Sequence, residues 1–246
     1  MPSSCLLPGA CERSETPWHD HVACSLIVAA SRRTSVYLEI GPRRTFACAV
    51  EWPGWCRSGR GEKAALEALA TYAPRFARMA ARTAITVPRI RVGDLEVVER
   101  VSGSAVTDFG APGVIPSSDR RPLDAAAAGR LVVLLGAAWD EFDDVVAGAP
   151  LSLRKGPRGG GRDRDRIVEH VIDAERSYAR HIGVRQTAQE WTDGGVTLTR
   201  ERIRAVLGRR SDGTPPVEGG WPPRYFVRRT AWHALDHAWE IEDRST

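Results

Sequence analysis

Apolar and polar positions alternate with a short period in the first half of this chain and with a longer one in the second. Residues 36–40, Val-Tyr-Leu-Glu-Ile, form a brief apolar run that turns at Gly41-Pro42. Over 45–52, Phe46, Cys48, Val50 and Trp52 alternate with Ala47, Ala49 and Glu51. A period of two places the larger side chains on one side of a sheet. Pro53-Gly54 ends that strand. In 62–73 the period lengthens, and Leu66, Leu69, Ala73 and Phe76 fall on one stripe of a helix. Pro74 should kink or end it, because proline lacks a backbone donor and clashes with the preceding turn. A further strand at 95–101 completes a small β-β-α-β unit.

Gly110, Pro112, Gly113, Pro116 and Pro122 then mark 107–122 as a linker. Beyond it the texture is helical. Asp124 caps a run to about 146, and a basic, glycine-rich loop occupies 154–162. Asp163 or Asp165 opens a helix to 182, Thr197 or Thr199 a shorter one to 207, and Tyr225 or Phe226 a last one ending near 243. Four helices separated by loops predict a bundle. The expected fold is α+β: a disordered extension over 1–33, a small β-β-α-β domain over 34–106, the linker, and a four-helix bundle over 123–246.

Composition narrows the partners. The length of 246 residues suits two modest cores, and the net charge of +4 is almost wholly arginine, since Lys63 and Lys155 are the only lysines. Basic residues alternate with acids, as in Arg162-Asp163-Arg164-Asp165-Arg166, which reads as a solvated face and not as a nucleic-acid surface. Five cysteines (Cys5, Cys11, Cys24, Cys48 and Cys56) at irregular spacing give no disulfide framework and fit a reducing cytoplasm. Cys11, His19, His21 and Cys24 match no common zinc template. The apolar run at 22–30 lacks a basic region before it, Ser31-Arg32-Arg33 follows it where an export signal would lead, and nothing reaches the roughly 18 residues needed to cross a bilayer. No nucleic acid and no membrane is therefore expected as a partner; oligomeric state stays open.

The candidate chemistry lies in the histidines. His233 and His237 stand at i and i+4 on one helical face, with Glu240 beside them and Leu235, Ala238 and Trp239 opposite. His170 borders the apolar stripe Ile167, Val171, Ala174, Tyr178 and Ile182 of an earlier helix. Three ordinary helical histidines are the bland reading; three ligands to one divalent ion are the sharper one. Ala234 stands where a zinc protease would carry its glutamate, and no Glu-x-x-His occurs at any of the three, so a mononuclear site with open positions remains. Zn²⁺ leads among the ions, with Ni and Fe still open.

The segment Glu169-His170-Val171-Ile172-Asp173-Ala174-Glu175-Arg176, together with His233 and His237, resembles the DinB-like metal-binding four-helix bundle over residues 120–246. The resemblance implies a metal held by His170, His233 and His237, and among similar proteins are transferases and isomerases that use a low-molecular-weight thiol such as mycothiol or bacillithiol. A small-molecule substrate is then expected, with Arg229 a candidate for holding a carboxylate of such a thiol and Glu240 a candidate acceptor behind a ligating imidazole, set against an i, i+4 pair with Arg244. His181 reads as a helix C-terminal cap, and Tyr178, Trp232 and Trp239 as packing residues. Residues 36–100, where Ala49-Val50-Glu51-Trp52-Pro53-Gly54-Trp55 leads through Gly59 and Gly61-Glu62 to a helix, resemble the HicB antitoxin fold without its DNA-binding motif. That resemblance implies the alternative function: a non-catalytic interaction or ligand-binding protein with a partner-binding module, which an exposed Trp55 would support.

Overall fold

The computed structural model describes residues 33–87, 89–156 and 160–245. The Cys11, His19, His21 and Cys24 group and the apolar run at 22–30 lie outside the described residues. Arg33–Thr246 form one compact unit, a mixed α+β arrangement of a four-stranded sheet followed by a helical region.

The sheet contains β1 (Thr34–Ile40), β2 (Thr45–Ala49), β3 (Cys56–Gly59) and β4 (Leu95–Ser102), in the spatial order β3-β2-β1-β4. β1 runs antiparallel to β2 and parallel to β4, and β2 runs antiparallel to β3. Alternation in β2 sorts two cores rather than core from solvent. Phe46 and Cys48 join Tyr37 and Trp232 on one face, and Ala47 and Ala49 join the main core on the other. β3 was not foreseen, because Cys-Arg-Ser-Gly carries no hydrophobic alternation. It exists because the Pro53-Gly54 turn folds the chain back so that Cys48 faces Cys56, and the two form a disulfide. Irregular spacing predicts no disulfide framework; this single pair follows instead from the strand register that sets Cys48 opposite Cys56. Gly54 has φ 90°, and a Cβ there would stand 2.9 Å from Leu235 Cδ1 and 3.1 Å from Ala231 Cβ, so the turn presses directly on the last helix.

Two helices, α1 (Gly61–Thr71) and α2 (Ala73–Ala80), replace the single one expected, and Pro74 lies in the first turn of α2, where its missing N–H costs no hydrogen bond. The order is thus β-β-β-α-α-β. The expected linker is also packed structure. It carries most of a short helix, α3 (Ala105–Phe109), and a 3₁₀ turn (Ser117–Arg120), and it buries Thr107 and Asp119. Buried Glu39 of β1 gathers the Thr107 hydroxyl and the backbone N–H groups of Gly113 and Val114 at 2.5–3.0 Å. Glycine and proline set the turns of this stretch, but Thr107, Gly113, Val114 and Asp119 find polar partners inside the fold.

The helical region comprises α4 (Ala125–Gly148), α5 (Arg164–Ala179) extended by a 3₁₀ turn (Arg180–Ile182), α6 (Ala188–Leu207) and α7 (Pro223–Arg244). Asp124 caps α4 as expected, accepting from the Ala127 N–H at 2.7 Å. α6 starts well before the Thr197 or Thr199 expected, because Thr187 and Glu190 form a reciprocal capping box. Gly195, at φ 50° and ψ −139°, interrupts α6, so its second segment begins close to the anticipated start. α7 packs against α4 and α5 and is buried along most of its length, with one hydrophobic cluster running from Val36 and Leu38 of the sheet to Leu235, Ala238 and Trp239. No helix among the described residues is long and apolar enough to cross a membrane.

Candidate metal centre

α7 presents His233 and His237 one turn apart, and α5, packed beside it, brings up His170. One ring nitrogen from each of the three lies within 4.8 Å of the others, a set that can hold a metal ion. The Nε2 atoms of His170 and His233 stand 3.2 Å apart. Two nitrogens bound at about 2.0–2.1 Å to one tetrahedral ion would be separated by about 3.3 Å, so this pair already has the spacing such an ion requires. His233 is buried, His170 and His237 are half-buried, and the three ring centroids are 4.7–5.1 Å from one another.

The surroundings favour the neutral form of His233 and His170. Burial, then the neighbouring His237 and His170, then Arg229 and Arg162, hold His233 well below the ordinary 6.5, and burial followed by His237 and Arg162 lowers His170. A neutral imidazole is the form that donates a lone pair to a metal. His237 Nδ1 lies 2.8 Å from Glu240 Oε2. Since a carboxylate only accepts, Nδ1 is the donor of this bond, which leaves Nε2 as the nitrogen available to a metal. The hydrogen bond from His237, reinforced by Arg244, holds Glu240 below the ordinary carboxylate range.

Glu240 makes both contacts weighed for it, since Arg244 Nη1 donates to its second oxygen at 2.6 Å. The same guanidinium reaches the backbone carbonyls of Arg154 and Arg162 at 2.9 and 2.6 Å. An imidazole of the cluster is therefore tied through Glu240 and Arg244 to the loop between α4 and α5. Only the Glu240-to-Arg244 spacing hinted at this in sequence; the carbonyl partners, 82 and 90 residues away along the chain, left no local signal. Arg229 lies at the rim, its guanidinium 4.9 Å from the Trp232 ring and 5.5 Å from Tyr178, with a 3.2 Å hydrogen bond to the Pro112 carbonyl. Tyr178 turns its ring edgewise to His233 at 5.8 Å.

Other expected residues lie elsewhere. His181 stacks flat on Trp221 at 4.2 Å and is no part of the cluster. Trp232 and Trp239 are buried in the cores. Trp55 is fully buried, stacked on Phe76 and donating to the Leu69 carbonyl at 2.9 Å, so it offers no surface to a partner. No protein-family model, curated protein or solved structure matches this chain.

Proposed function

We propose that the protein binds one divalent metal ion, Zn²⁺ foremost, through His170, His233 and His237, and that α4 to α7 form a DinB-like four-helix bundle around this centre. The convergence of the three imidazoles carries the reading. The donor set fits a borderline ion, and three protein ligands leave room for an exogenous one. Such an ion would supply Lewis acidity and stabilise a small thiol in its thiolate form. We read the activity as transfer or isomerisation dependent on such a thiol, of the mycothiol or bacillithiol kind.

The chain's own residues have separable parts in this scheme. Glu240 fixes the tautomer and ring plane of His237, and Arg244 fixes Glu240. Arg229, with an aromatic ring on two sides and one carbonyl partner, keeps donors for a carboxylate of the thiol or its acceptor substrate. Elemental analysis of the purified protein should return close to one equivalent of metal, and His233→Ala and His237→Ala should each remove most of it. Metal retained in both variants sinks the assignment. Metal-dependent consumption of a thiol together with an electrophile, lost in the same variants, tests the reaction.

A further inference from the structure

A polar cavity of about 370 Å³ opens on α5 and α6 and shares no residue with the histidine cluster. Arg176, Arg180 and Arg185 line it with Gln186 and Thr199, and Ala179 and Val184 complete the wall. No carboxylate is among the lining residues. Elsewhere in this fold the buried Arg200 and Arg228 and the half-buried Arg202 are answered by acids, Arg200 by Glu175 and Asp143, Arg202 by Glu190 and Arg228 by Asp119, whereas of the cavity's arginines Arg176 is half-buried and Arg180 and Arg185 are exposed. Among the described residues Arg176, Arg180 and Arg185 have no ion pair. Arg176 and Arg180 stand four residues apart, a spacing at which like charges oppose each other.

The rest of the cavity is ordered in advance. The Arg176 guanidinium lies 3.9 Å from the centre of the Trp191 ring, which places the charge without neutralising it. Gln186 donates from Nε2 to the Gly195 carbonyl at 3.0 Å and accepts the Thr199 hydroxyl on Oε1, so its amide is pinned from both ends. The break in α6 at Gly195 is part of this arrangement, because its carbonyl accepts the Gln186 donor.

We infer that this cavity binds a small phosphate-bearing ligand, with the phosphate held between Arg180 and Arg185 and Arg176 beside it. Guanidinium groups match phosphate oxygens in pairs, and a dianion reverses the repulsion among three cations. The volume falls within the roughly 300–1,000 Å³ of small-molecule sites, which leaves space for the organic body of a phosphomonoester.

Calorimetric titration of the full-length protein with inorganic phosphate and with glycerol 3-phosphate tests this. Saturable binding that weakens with added salt is expected, and an ester that binds tighter than phosphate identifies an organic ligand, whereas equal binding identifies free phosphate as the occupant. Arg180→Gln combined with Arg185→Gln should weaken binding by about tenfold or more without moving the unfolding midpoint of the ligand-free protein, since neither side chain has an acidic partner to lose. The charge-conserving Arg180→Lys and Arg185→Lys pair should retain part of the affinity and provides the folded comparison if the glutamines perturb the protein. His233→Ala should bind as tightly as wild type, which separates this cavity from the metal centre. Absence of saturable binding to either probe, affinity unchanged in the glutamine variant, or affinity lost in His233→Ala overturns the inference.

Discussion

Two polar clusters are inserted into the same helix, and they end differently. In the first half of α7, Arg228 is buried and four of its five N–H donors are answered: Asp119 receives Nε and Nη2 at 3.0 and 2.5 Å, and the Ala49 and Val50 carbonyls receive Nη1 and Nη2 at 2.7 and 3.1 Å. Burial works against its charge, yet Asp119 offsets that and holds Arg228 above its ordinary range. Midway along α7 the Nε2 atoms of His233 and His170 face each other at 3.2 Å, a contact that one N–H can fill as a hydrogen bond, with a ring nitrogen of His237 within 4.8 Å of both residues' ligand atoms. A cluster that satisfies itself joins parts of the fold. One in which three imidazole nitrogens converge presents a donor set that a cation could take.

The contrast can be broken experimentally, and the largest effect should fall on the closed cluster. Asp119→Ala leaves Arg228 charged and buried with carbonyls alone, and should lower unfolding free energy by about 3–5 kcal/mol in urea titrations, with metal content of the folded fraction unchanged. A loss below about 1 kcal/mol would show that water reaches Arg228 and that the cluster is not closed.

His233→Ala should do the reverse. Added Zn²⁺ at 100 times its dissociation constant stabilises a one-site protein by about 2.7 kcal/mol, and this increment should vanish in the variant. An equal shift of the melting midpoint by Zn²⁺ in both proteins would place the ion elsewhere. Glu240→Gln, which removes the carboxylate behind His237, should weaken metal affinity by about 10–100-fold in a chelator competition. Arg244→Gln, one step further from the ion, should cost less than about tenfold in the same assay. A reversed order of these two would mean that the Arg154 to Arg162 loop, rather than Glu240, orients the imidazole.

What could be read from sequence was what repeats at short range. A short apolar run gave β1, period two gave β2, a cap at Asp124 and helical texture gave α4, α5 and α7, and the i, i+4 pair of His233 and His237 follows from helical geometry alone. His170 became a candidate because of its place at the border of an apolar stripe, and α5 does pack on α7 so that the ring reaches the others. What stayed hidden depended on distant or polar partners. β3 is held by its register to β2 and not by hydrophobic pattern. Arg228 and Asp119 are 109 residues apart, and the buried role of each follows only from the other. Gly195 disguised the first segment of α6, because a helical stripe interrupted by a glycine at positive φ reads as a loop followed by a shorter helix.

The stretch between α3 and α4 has a practical consequence for anyone dissecting the molecule. Its glycines and prolines invite a cut there to release a helical fragment, yet Asp119 would be carried off with one piece or the other, together with the Gly113 and Val114 N–H groups that donate to Glu39. Either product would expose an orphaned charge and half of a shared apolar surface, so truncation at this point should give aggregates in place of two autonomous modules.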